Sequence, residues 1–182
     1  MPEIDHFNIG GEIALPELYA LCKDSLCDVS RILTLDVATP SHSAPRPNPA
    51  GESNWGEQFL SLDFLQLLQG ASLEVNCFAI HTRQSGEQWR MRYLGHTGVQ
   101  RARATLSACL LPDPTRLHPV YARFNEALQA GCTAGLRMIH VEPDTLRHFI
   151  HEKLLAEMRS DGVLDWHPGM RAKKCDARHP SR

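Results

Sequence analysis

The sequence predicts an α+β fold, a mixed sheet of about four strands flanked by amphipathic helices. Apolar residues recur at helical spacing in five segments and alternate with polar ones, or run β-branched, in four others. Gly and Pro punctuate the joins. The elements interleave as helix, strand, helix, strand, strand, helix, helix, strand, helix, which sets helices against a sheet rather than in a separate bundle.

Leu18, Leu21, Cys22 and Leu26 define a helix over 13–29, with Pro16 in its first turn. RILTLDVA at 31–38 then predicts a strand that ends before Pro40. The stretch 39–56, rich in Pro and Ser, has almost nothing to bury and reads as a surface loop. Leu60, Phe64, Leu67 and Leu68 share one face of a helix over 57–69 that stops at Gly70. LEVNCFAIHT at 73–82 and QWRMRYL at 88–94 form a hairpin, with Gly86 supplying a positive φ at the turn. A helix follows LGHTG, burying Val99, Ala102, Leu106, Cys109 and Leu110 and turning Arg101 away. VYARFNEALQAG is a short helix closed by Gly131, and LRMIHV at 136–141 a central strand. Pro143, Asp144 and Thr145 open a last helix that runs to about Met158, with Leu146, Phe149, Ile150 and Leu154 inward.

With 182 residues, the chain is the size of one domain, expected over 1–168, and 169–182 reads as a basic, frayed tail. Apolar residues make up 42%, which excludes a disordered chain. No apolar run is long enough to span a membrane. Glu3 and Asp5 stand where a secretory signal carries its basic residues, so a cytoplasmic location is expected. Six cysteines without a CxxC pair agree with a reducing compartment. Fifteen Arg against four Lys fits the codon bias of a GC-rich, bacterial genome.

Charge divides along the chain. Residues 1–70 hold ten acids against three bases, and residues 71–182 eleven acids against sixteen bases. The bases concentrate between His81 and Arg103, where five arginines face one acid, Glu87. Arg83, Trp89, Arg90, Arg92, Tyr93, Arg101 and Arg103 therefore form the candidate partner-binding set, cations for phosphates or carboxylates and rings for stacking. Regular alternation in QWRMRYL would put Trp89, Met91 and Tyr93 on one face and Arg90 and Arg92 on the other, which is also how a solvated strand face is built.

Other chemistry is less well marked. His81 and His140 each close a predicted strand, and with Glu142 they would make a His/His/carboxylate metal set if those strands met at one edge. RHFIHE matches neither HExxH nor HxxEH; His148 and Glu152, four apart, share an exposed helix face, and His151 lies to its side. LGHTG lacks the Lys of a phosphate loop, and Cys175, the thiol with the most basic neighbours, stands in the tail. The expected function is a non-enzymatic binding or accessory protein that engages an acidic partner, nucleic acid or protein, with no cofactor. A small metal-assisted hydrolase at His81, His140 and Glu142, and an assembly subunit or homo-oligomer joined through its opposite charges, are the alternatives.

Overall fold

A computed structural model describes residues 4–9, 13–35, 62–69, 73–111, 118–160 and 164–167, with the side chains of 62–65 and 160 excepted. The predicted loop 39–56, the tail 169–182, Leu60, Gly70 and Cys175 lie outside the described residues, as does the side chain of Phe64.

The architecture is α+β with a mixed sheet. Strands β1 (Asp5–Asn8), β2 (Leu33–Thr34), β3 (Cys77–Arg83), β4 (Arg90–His96) and β5 (Thr133–Glu142) alternate with helices α1 (Leu15–Cys27), α2 (Leu62–Gln69), α3 (Ala102–Leu110), α4 (Pro119–Gln129) and α5 (Leu146–Ser160). The order across the sheet is β1-β5-β3-β4, and β2 pairs beside β1 on the same edge of β5. Only β1 is parallel to its neighbour, with Asp5 opposite Ile139. Its sequence, DHFN, carries one strongly apolar side chain, so hydrophobic pattern alone does not announce it.

The inner strands β3 and β5 are buried along nearly their whole length because helices cover both faces. On one face Phe78, Ile80, Leu136 and Met138 meet Leu106 and Leu110 of α3 and Phe124 of α4. On the other, Cys77, Ala79, Ile139 and Val141 meet Leu18, Cys22 and Leu26 of α1 and Ile150 and Leu154 of α5. Two residues expected inside lie out: Leu21 of α1 is 40% exposed and Phe149 of α5 39%. Their inward places go to Tyr19 and to Leu155 and Met158, as the narrow helical stripes rotate toward the sheet. Gly86 (φ 82°) turns the hairpin and Gly131 (φ 79°) ends α4, both in the left-handed region glycine tolerates.

Regular alternation in β4 does not hold. The pairs are Ile80 with Tyr93 and His81 with Met91, so Arg92 is an extra residue opposite nothing, a β-bulge. Met91 therefore packs in the α1/α5 layer and Tyr93 against the α3/α4 layer, on opposite faces of the sheet. Arg92 donates from Nε to Thr82 Oγ1 (2.9 Å) and pairs with Asp165 (2.8 Å).

Beneath α1 lies an ionic tie. Arg137, 1% exposed, donates to the Ser25 carbonyl (3.0 Å) and hydroxyl (2.9 Å), the Arg31 carbonyl (3.1 Å) and Asp5 Oδ2 (2.8 Å). Arg31 also reaches Asp5, at 2.6 Å. Burial raises the Asp5 carboxyl pKa, but the Ser25 and Arg31 hydrogen bonds and the charges of Arg137 and Arg31 outweigh it, holding the group below its ordinary value. One strand, one helix end and the central strand are thereby joined.

Candidate functional site

A cleft of about 520 Å³ opens on the α1/α5 side of the sheet, at the end where the β3–β4 hairpin turns. Its volume suits a small organic ligand. Trp89, Arg90, Met91 and Arg92 enter from the hairpin, Lys23, Cys27 and Val29 from the end of α1, Glu157 and Met158 from the end of α5, and His81 from β3.

Local structure explains how each is placed. Trp89 sits just before β4 and lies over Gly135, where an added Cβ would stand 3.1 Å from its ring and collide with Ile32. Gly135 thus lets Trp89 and Ile32 rest on the central strand. Arg83, last in β3, covers a face of Trp89 with its guanidinium 4.6 Å from the ring centroid, which clamps the indole. Arg90 is exposed and forms no ion pair among the described residues. Lys23 is paired with Glu157, which also accepts from the Tyr19 hydroxyl.

His81 is 2% exposed. Its Nε2 lies 3.0 Å from the Leu26 carbonyl, which can only accept, so Nε2 carries the proton and Nδ1 is a bare acceptor. That Nδ1 is buried, with no hydrogen-bond partner among the described residues. Burial, joined by the charge of Arg137 and opposed by the Leu26 hydrogen bond, pushes the imidazole pKa down to about 4. The ring is neutral at physiological pH. Cys27 is exposed, and partial desolvation of its sulfur, with the carboxylates of Asp24 and Glu157, pushes its thiol pKa up against the pull of Lys23.

The residues expected to bind a partner are divided between three places. Arg83, Trp89, Arg90 and Arg92 gather at the hairpin cleft. Tyr93 lies on the other face, its ring 4.8 Å from that of His167. Arg101 and Arg103 follow the far end of β4, about 20 Å along a strand of this length.

The His81, His140 and Glu142 metal set is not assembled. His81 pairs across from Gly135, five residues before His140, so about 17 Å of strand separates them, and the odd separation puts the two side chains on opposite faces. Among the described residues no group of three His, Cys, Asp or Glu side chains is placed to hold a metal ion. His140 does meet Glu142, at 3.2 Å, with Asn8 donating to the other carboxylate oxygen at 2.9 Å. These three line a second cleft of about 490 Å³ with Glu74 and Asp144.

Sequence reasoning also missed a gathering of four histidines. His96 of β4 stands 4.6 Å from His148 and 4.4 Å from His151 of α5, ring centre to centre, and His167 is 6.1 Å from His151. His151, expected to the side of the exposed helix face, is buried and contacts the Leu94 carbonyl from Nε2 at 3.2 Å. The HxxH spacing on α5 was the available signal, but the two partners are remote in sequence. Leu94 N–H in turn donates to His167 Nε2 at 3.4 Å, and Trp166 N–H to the Arg92 carbonyl at 3.2 Å. Residues 164–167 therefore lie along the outer edge of β4 as a strap, supplying partners to backbone groups that an edge strand otherwise presents to other chains.

No protein-family model, curated protein or solved structure matches this chain, so the functional reading rests on the geometry of its clefts.

Proposed function

We propose that this chain is a binding protein, and that the hairpin cleft is where it takes an acidic partner, specifically a small ligand with an anionic group on an apolar body. One observation carries this reading: the cleft combines an apolar wall, Trp89, Met91 and Met158, with an exposed cation at the same opening, Arg90, which forms no ion pair among the described residues. Apolar walls supply affinity in such a site and the charge supplies orientation. Arg suits a carboxylate, sulfonate or phosphate because its planar fork can donate two parallel hydrogen bonds. The distance to Arg101 and Arg103 favours a ligand of local reach over a long polyanion, which would draw on cations along its path. Cytoplasmic work as an accessory protein is part of the same proposal.

Titration with 1-anilinonaphthalene-8-sulfonate tests it. The expected result is saturable, one-to-one fluorescence enhancement. Arg90→Ala should weaken it about threefold to fivefold, the range of one exposed ion pair, and Trp89→Ala should weaken it further. Enhancement that does not saturate, or that ignores both substitutions in folded protein, would remove the reading.

A further inference from the structure

The outer edge of β4 is met by two histidines in opposite roles. Leu94 N–H donates to Nε2 of His167 (3.4 Å), the Leu94 carbonyl meets Nε2 of His151 (3.2 Å), and the Arg92 carbonyl accepts from Trp166 N–H (3.2 Å). A carbonyl only accepts, so His151 presents a proton to it and keeps that bond whether its ring is neutral or charged. His167 must accept, so its Nε2 is bare and the ring proton sits on Nδ1. A second proton can enter that ring only at Nε2, where it would point at the N–H it now receives. Of the three contacts, one is therefore lost on protonation.

The surroundings of the ring also disfavour a cation. His167 is 8% exposed and stacks on Tyr93, ring centres 4.8 Å apart. From α5 it faces His151, Arg159 and Glu152, and behind His151 stand His96, His148 and Arg147. On the strap itself Asp165 is taken by Arg92, and on α4 Arg123 and Glu126 pair with each other beside Trp166. Burial first, then the charges of His151 and Arg159, bring the ring's pKa down to about 4, with Glu152 and the Leu94 backbone in opposition. The Leu94 carbonyl, the acceptor a charged ring would turn to, is already met by His151. Leu164 is fully buried in the α1/α5 layer, so the strap is rooted at that end, while two hydrogen bonds hold Trp166 and His167 to the edge.

We infer that the 164–167 strap is an acid-released latch on β4: a proton taken from water at Nε2 of His167 breaks the bond from Leu94 N–H, and Trp166 and His167 leave the edge together while the inner strands stay folded. The inference is independent of what the hairpin cleft binds. Release strips Leu94 N–H and the Arg92 carbonyl of their partners, turning a covered edge into one that presents backbone groups outward. Opening also returns His167 to water and its ordinary pKa of 6.5, so each pH unit below that value favours the open form about tenfold until the buried ring itself titrates.

Amide hydrogen exchange of the full chain, followed by NMR from pH 7 to pH 4.5 and corrected for the intrinsic rate at each pH, tests it. Protection of the Leu94 and Trp166 amides should fall together, about tenfold for each pH unit below 6.5. Phe78 and Met138 on the inner strands should exchange more slowly throughout, which marks the opening as local. His167→Gln keeps an acceptor and takes up no proton, so it should hold both amides at a protection that ignores pH. His151→Gln, which keeps a donor for the Leu94 carbonyl, should leave the pH dependence in place. Protection that is flat with pH in the wild-type chain overturns the inference, as does loss at Leu94 without loss at Trp166. So does exchange of the strap only at the rate of the inner strands, or a pH dependence that survives in His167→Gln. The wild-type profile decides by itself if a substitution fails to fold.

Discussion

His81, in the wall of the cleft, bears on the stability of the fold. Its imidazole is held neutral in the folded protein, with a pKa near 4 against an ordinary 6.5. A histidine lowered in this way contributes its full stabilisation above pH 6.5 and loses it as the pH falls toward 4, because the unfolded chain takes up the proton first. For a side chain this buried the contribution is roughly 3 kcal/mol. His96 and His167, each also pushed down to about 4 chiefly by burial and then by the charge of His151, act in the same direction. Urea denaturation should therefore show a midpoint that falls between pH 6.5 and 4. In His81→Phe that fall should be shallower; an unchanged slope would mean that His81 is not held neutral. Asp5 extends acid sensitivity lower still, since its depressed carboxyl pKa gives stability that is present above its ordinary value of 3.8 and lost below it.

At the scale of elements, the edge of β4 is met by the 164–167 strap, through the His167 ring and the Trp166 N–H, and among the described residues by no further strand. His167 accepts from Leu94 N–H only while Nε2 is unprotonated, and Asp165 holds Arg92 beside it. His167→Ala should speed hydrogen exchange at the Leu94 amide about fivefold to tenfold, the worth of one modest hydrogen bond. His167→Gln, which keeps an acceptor, should restore slow exchange; equal exchange in all three proteins would show that the strap does not protect the edge. Most elements were legible in the sequence because each carries its own periodicity, as Leu18, Cys22 and Leu26 do for α1 and Ala102, Leu106 and Cys109 for α3. β1 was not, since a short edge strand with alternate polar residues looks like a loop. The bulge was not legible either, because an unopposed residue is a property of two paired strands and QWRMRYL by itself alternates perfectly.

For the whole molecule, the arginines expected between Arg83 and Arg103 do not form one basic face. Among the described residues, Arg137 and Arg31 are engaged on Asp5 and Arg92 on Asp165, while Arg83 and Arg90 stand at one end of β4 and Arg101 and Arg103 beyond the other. The candidate site was accordingly half legible: Trp89 and Arg90 stood together in sequence, whereas Met158, Lys23 and the orientation of His81 depend on helices α1 and α5 folding onto the hairpin. A double substitution, Arg101→Ala with Arg103→Ala, should leave the affinity for 1-anilinonaphthalene-8-sulfonate unchanged within error in fluorescence titration. A loss matching that of Arg90→Ala would mean that the two ends act as one surface. The bulge gives β4 one more property, visible when the strand is considered as a count of residues. Arg92 faces no partner, so excising it would leave Met91 opposite His81 and Tyr93 opposite Ile80, now as a regular ladder. Deletion at any neighbouring position would throw part of the strand out of phase and exchange its inner and outer side chains. This strand has a single position at which its length can change by one without its meaning changing.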